Sequence, residues 1–443
     1  MSNTHRPTIG WIVAGSLSVG FLLAVVLVAL PFAGAEENII SGVVLLAFAM
    51  GWALLAVLSR RTDQPQTWPT VPAGVMAIFG VGLVAWPNAI VHDGMGWVWP
   101  LVLLTLVVWM CMRSRRELRS PTRFWLLYPL FGALALAGVG GLYEIAQETS
   151  DHSAFPMPGK LVDVGGYRLH LHCTGSGSPT VVLLPGAGGL SSSWGWIAPA
   201  VARDSRVCVY DLAGRGWSES ATRPQDGVAL ATDLHNLLTN AGETGPYVLA
   251  GHSFGGLYVL NFAARYPEQV AGVVLLDSTH PDMFTRLPAY PVIWDAFRRA
   301  SAVFPSLARL GVGRIVYRSD FDKLPLQSRR EEVAFWSTAR MARSQHAEWM
   351  EAPIAMRQAH ALKTLSPRPL IVVTALVEAQ DGWVPLQREL AALSGNSQQR
   401  IVPNATHMSL VEDERDACNS IDAIRAVIQA VRGGTPLAML AAR

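Results

Sequence analysis

YVLAGHSFGGLYVL, residues 247–260, sets an apolar run of strand-forming residues directly against a second apolar run with helical spacing. Between them stands Gly251-His252-Ser253-Phe254-Gly255, a G-x-S-x-G turn. A serine in such a turn projects from a sharp strand-to-helix elbow. Small flanking residues let the two elements approach, and the helix N-terminus favours negative charge beside the hydroxyl. The bare pattern is weak evidence. The strand–turn–helix context turns Ser253 into a candidate nucleophile.

Outward from this elbow, residues 160–435 read as one α/β domain. Strands are predicted at 161–164, 167–173, 180–184, 206–210, 247–250, 270–276, 370–374 and 399–402, with helices such as 227–241 and 257–266 between the later ones. Gly165-Gly166 joins the first two strands as a hairpin. The alternation beyond it implies right-handed crossovers and a mostly parallel eight-stranded sheet covered on both faces. From 280 to 366 the strand signal stops, and Arg, Trp and Ala recur at helical spacing. That stretch is expected to be a helical cap.

A serine needs a base, and the base an orienting carboxylate. His407, in NATHMSL after the last strand, is the base expected there. Asp381, in EAQDGWVP, is the preferred acid. Glu378 and Asp277 are alternatives, the first closer to its strand, the second ending the strand of LLDSTH. Two backbone N–H groups, of Phe254 and of Ala187 in the loop Pro185–Gly189, are the expected oxyanion donors. No G-K-[ST] follows that loop, which excludes a P-loop. His170 and His172 alternate with Cys173 across a strand, so no metal site is expected, and no cofactor.

LLPGAGG, VYDLAGRGWSES, LAGHSFGGLYVLNFAARYPEQVAGVVLLDSTHP, DGWVP and THMSL together resemble the α/β-hydrolase superfamily over residues 160–430. The resemblance implies Ser253 as nucleophile, Asp381 as acid, His407 as base, and Ala187 with Phe254 as oxyanion donors. Asp211 and Arg215 resemble a structural turn of that fold. Pro185-Gly186 stands where many members have His-Gly. Dehalogenases and epoxide hydrolases of this fold resemble one another in using an aspartate nucleophile, so Ser253 favours acyl transfer. Carboxylic esters and thioesters, lipid or other hydrophobic acyl substrates among them, are expected. The alternatives are an amidase or peptidase of the same fold, or an inactive membrane-tethered binding or sensor protein. Cys173 and Cys208 lie on strands that neighbour each other in this fold's sheet order, which makes a disulfide possible in an oxidising compartment.

The other half differs in kind. Of 443 residues 51% are hydrophobic and 15% charged, against roughly a quarter charged in soluble domains. The deficit lies before residue 147. Five apolar stretches, 9–32, 39–58, 71–91, 97–112 and 124–145, suit an all-α region crossing a bilayer, at about 20 residues each. A short tether is expected at 148–159. His5 and Arg6, Arg60 and Arg61, and the cluster Arg113 to Arg123 alternate with connections holding Glu36, Glu37, His92 and Asp93. Basic residues gather on the cytoplasmic side, so the N-terminus is expected inside and the hydrolase-like domain outside. Membrane lipids are expected partners. Nucleic acid is not, because the dense basic run is explained by topology. Oligomeric state is left open.

Overall fold

The computed structural model describes residues 8–86, 89–119, 121 and 123–440; His5 and Arg6 lie outside them. They form two compact units. The first runs to Ser153 and takes in Arg299–Ile315, and the second holds Ala154–Arg298 and the chain from Val316.

The first unit is built on α1 (Ile9–Ala29), α2 (Glu37–Ser59), α3 (Thr70–Ala85), α4 (Ala89–Glu117) and α5 (Tyr128–Ala154), with a π-helical turn, Arg123–Leu127, before α5. Apolar runs of this length become helices because only helices satisfy their own backbone groups in lipid. Among the described residues four helices are long and apolar enough to cross a membrane, whereas Thr70–Ala85 is a shorter apolar helix. At a rise of 1.5 Å per residue α3 is about 24 Å long, against a hydrocarbon core of about 30 Å. The stretch expected over 71–91 stops early because Trp86 precedes a proline, and it leaves the helical region at φ −123° and ψ 79°. The stretch expected over 97–112 is instead longer, since its charged flanks continue the helix. The predicted tether is also corrected. The chain is helical as far as Ala154, with no breaker before Pro156.

Close backbone approach holds α1, α2 and α3 together. A Cβ on Gly20 would lie 3.1 Å from Gly51 Cα, and one on Gly42 would lie 3.0 Å from Gly80 O. Polar contacts mark the ends of the bundle. At one end Gln66 Nε2 donates to Glu117 O at 3.3 Å and Arg119 N to Gln64 Oε1 at 2.9 Å. At the other, Arg309 bridges Glu37 Oε1 at 2.5 Å and Asp93 Oδ1 at 2.9 Å. The starts of α2 and α4 therefore share an end, and short α3 runs from the opposite one. Arg314 pairs with Glu144 at 2.9 Å and Asp151 at 2.5 Å. These arginines come from the stretch expected to be cap. The cap of 280–366 is thus divided, and 299–315 packs with the helical unit.

In the second unit, eight strands pair in the order β1-β2-β4-β3-β5-β6-β7-β8. They are β1 (Lys160–Asp163), β2 (Arg168–Thr174), β3 (Val181–Leu184), β4 (Val207–Tyr210), β5 (Tyr247–His252), β6 (Val270–Leu276), β7 (Leu370–Val377) and β8 (Ser397–Thr406). β1 with β2 and β2 with β4 are antiparallel, and the remaining pairs parallel. Every residue of β3, β4 and β5 is buried, as strands covered on both faces require. Helix Gly227–Ala241 starts where Asp226 accepts from Ala229 N at 2.8 Å and stops at left-handed Gly242. Cys173 and Cys208 face each other in the β2–β4 register and are joined as a disulfide. Four candidate segments leave the carboxyl ends of parallel strands: Pro185–Gly189 after β3, Ser253 after β5, Asp277 after β6 and His407 after β8. Open α/β sheets place their ligands at that edge.

Candidate active site

Ser253 sits between β5 and helix Phe254–Arg265 with φ 54° and ψ −123°, a conformation that L-residues rarely adopt. Its carbonyl accepts from Gly256 N and Thr279 N, both at 3.0 Å, and its N–H donates to Leu276 O at 3.1 Å. The elbow depends on its glycines. A Cβ on Gly251 would fall 2.5 Å from the Gly255 backbone, and one on Gly255 would strike Leu184 O. Phe254 opens the helix, where first-turn N–H groups have no intrahelical acceptor.

His407 follows β8 and its Nδ1 meets Asp277 Oδ2 at 2.7 Å. The other oxygen, Oδ1, accepts from Trp383 Nε1 at 2.7 Å and Ala375 N at 3.1 Å. Both carboxylate oxygens are engaged, and Asp277 is buried at 3% exposure. With Nδ1–H given to a carboxylate, the lone pair of the neutral ring is on Nε2. His252 Nε2 donates to His407 O at 3.0 Å, and burial beside His407 pushes its imidazole down to about 3, so it stays neutral.

The expectation of Asp381 as partner of His407 is corrected. Asp381 and the first alternative, Glu378, stand exposed after β7, while the second alternative, Asp277, makes the bond. The reason is register. His252 pairs with Leu276, so the residues that follow, Ser253 and Asp277, end adjacent strands at one level. β7 continues to Val377 and carries the 378–382 turn beyond that level.

Ser253, His407 and Ala187 line one cavity of about 160 Å³. Its loop is braced from the cap: Glu348 Oε2 accepts from Gly188 N at 2.9 Å and pairs with Arg215 Nη2 at 2.7 Å, while Oε1 accepts from Tyr258 OH at 2.6 Å. Burial raises the Tyr258 phenol well above its ordinary value. Sequence reasoning missed Glu348, which is one of two acids, with Glu351, on helix Ala339–Ala359 and carries no local signal that separates it from the other. Asp211 anchors the turn expected of it, accepting from Ser191 N at 2.7 Å and Trp217 N at 3.2 Å. Both ring nitrogens of His170 are engaged, Nδ1 by Asp211 at 2.8 Å and Nε2 by Pro158 O at 2.6 Å.

The profile of the alpha/beta hydrolase family matches residues 181–421, over half of the chain, and the protein belongs to that family. It is similar to an uncharacterized protein of Schizosaccharomyces pombe, 28% identical over 59% of this chain and 54% of that protein. The 2-hydroxymuconate semialdehyde hydrolase of Pseudomonas sp. (strain CF600) is 31% identical over 28% of this chain and 44% of that enzyme. The chain thus spans about half the length of these curated relatives. The Cif epoxide hydrolase of Acinetobacter nosocomialis shares the fold, with a TM-score of 0.52 at 17% identity over 64% of this chain and 96% of that one.

Proposed function

We propose that this chain is a membrane-anchored serine hydrolase of carboxylic esters or thioesters, with Ser253, His407 and Asp277 as its triad. The observation that carries the reading is the His407 Nδ1–Asp277 bond of 2.7 Å at the level where Ser253 is held at positive φ. Ser253 Oγ attacks the acyl carbonyl while His407 Nε2 takes its proton. The oxyanion meets the N–H groups of Phe254 and Ala187. The tetrahedral intermediate collapses, the C–O or C–S bond to the leaving group breaks, and His407 returns the proton to that group. Water, deprotonated by His407, then hydrolyses the acyl-enzyme and regenerates Ser253. A cavity of about 160 Å³ supports a short acyl group over the long lipid chain suggested by membrane placement; drug-sized ligand sites measure roughly 300–1,000 Å³.

The hydrolase unit is assigned to the extracytoplasmic side. Arg60-Arg61 and the Arg113–Arg123 cluster belong to one bundle end, so α3 and α4 both traverse it; on the positive-inside rule that end is cytoplasmic. A short span costs only fractions of a kcal/mol per Å of mismatch. The Cys173–Cys208 disulfide supports the same side independently.

Fluorophosphonate labelling of intact cells and lysates tests both parts. The expected result is labelling of intact cells by a membrane-impermeant probe, absent in Ser253→Ala. Labelling only after lysis overturns the orientation, and none at all overturns the enzyme.

A further inference from the structure

We propose that Glu332 selects substrates whose acyl chain carries a neutral oxygen acceptor, such as an ether or carbonyl, a few atoms from the scissile carbonyl. This rests on the hydrolase reading above and names its substrate class.

Glu332 belongs to the cap helix Leu326–Trp336 and lines the same cavity as Ser253 and His407. It is fully buried, at 0% exposure. One carboxyl oxygen, Oε1, accepts from Ser192 Oγ at 2.9 Å and Ser193 Oγ at 2.7 Å. The other, Oε2, is buried with no partner. A buried polar atom without a partner is costly, and an acceptor brought by a ligand into the adjoining cavity would relieve that cost.

Three observations give that ligand its chemistry. First, Oε1 is already an acceptor twice over, and burial pushes the carboxyl up to about 8, so at neutral pH the proton resides on Oε2, which donates. Second, the indole N–H groups of Trp194 and Trp336, on the same lining, are also buried without partners. Indole N–H only donates. Third, the lining contains no lysine or arginine and has a second carboxyl, Glu412, pushed by burial up to about 7. Donors without a fixed cation fit an uncharged acceptor oxygen. An anion would find no cation on the lining to balance its charge, and a plain alkyl chain would leave every donor unpaired.

The test is hydrolysis by the full-length chain in detergent of three isosteric p-nitrophenyl esters: 3-methoxypropanoate, pentanoate and 3-(methylammonio)propanoate. Each kcat/KM is divided by the ester's own hydroxide-catalysed rate. The expected result is a preference for methoxypropanoate over pentanoate of about tenfold or more, since sites built for hydrogen bonding reject analogues that lack the partner. Glu332→Gln, whose amide N–H₂ replaces the donor, keeps that ratio, and Glu332→Met loses it. Equal rates in the wild type, or a ratio unchanged in Glu332→Met, overturn the proposal. So does a preference for the ammonium ester that Glu332→Gln abolishes, which identifies an ionised cation site instead. The wild-type and Glu332→Gln ratios decide the matter even where Glu332→Met does not fold. Fluorophosphonate labelling of Ser253 without discrimination among the esters defeats this inference alone; no labelling and no hydrolysis defeats the hydrolase reading as well.

Discussion

Ser253 and Asp277 both hold positive φ, 54° and 44°, at the ends of adjacent strands. Such backbone costs about 1–3 kcal/mol per residue and persists only where surrounding structure imposes it. Here it aims two side chains at one place. Asp277→Asn is therefore expected to lower kcat by roughly 10³–10⁴, through the wrong His407 tautomer, with Asp381→Asn within about twofold of wild type; ester kinetics on the two variants check this. Two other buried groups give opposite pH dependences. His252 is held near 3 against an ordinary 6.5, so the unfolded chain binds the proton more readily and stability falls as pH drops below about 6.5. Glu332 is held near 8 against an ordinary 4.5, so the folded chain retains a proton that the unfolded chain has released. Its contribution is present below about 4.5 and is lost as pH rises to about 8. The thermal midpoint is expected to decline between pH 6.5 and 8, and to decline less in Glu332→Gln.

Among the elements, helix Ala339–Ala359 links the cap to the chemistry. Its Glu348 binds Gly188 of the loop that carries Ala187, and the buried Arg215 beside it fixes the carboxylate. Glu348 does not line the cavity of Ser253 and His407, so on the mechanism proposed above it is a positioning residue for the oxyanion loop. Glu348→Gln weakens that brace. The expected outcome is a fall in kcat of roughly tenfold to a hundredfold with little change in KM, as for loss of transition-state rather than ground-state contacts. A purely structural role would lower the amount of folded protein and leave kcat per labelled Ser253 unchanged. The strands were legible in the chain because continuous apolar runs between glycine-rich turns are local signals. Helix Gly227–Ala241 was legible to the residue, bounded by Asp226 and Gly242.

Across the molecule, the chain leaves the hydrolase unit at Arg299 and returns at Val316, placing Arg309 and Arg314 in the helical unit. Arg309 joins the starts of α2 and α4, and Arg314 holds Glu144 and Asp151 near the end of α5. Helices with apolar surfaces on every side gain no register from lipid, whereas paired charges at their ends do. Removing one partner of a buried pair costs about 3–5 kcal/mol. Arg314→Ala is accordingly expected to lower the thermal midpoint of the full-length chain in detergent, with Glu144→Gln relieving part of the loss in the double variant.

The family, the G-x-S-x-G elbow, the position of His407 and the apolar helices could all be read along the chain, because each is encoded in residues close together. The carboxylate paired with His407 could not. Asp277, Glu378 and Asp381 all follow strands, and only the pairing of His252 with Leu276 brings Asp277 level with Ser253. The same holds for Glu332, Glu348, Arg309 and Arg314, whose partners lie from 90 to 272 residues away in other elements. Local pattern specifies an element and its faces; which side chains meet across elements depends on register and packing that no single stretch contains.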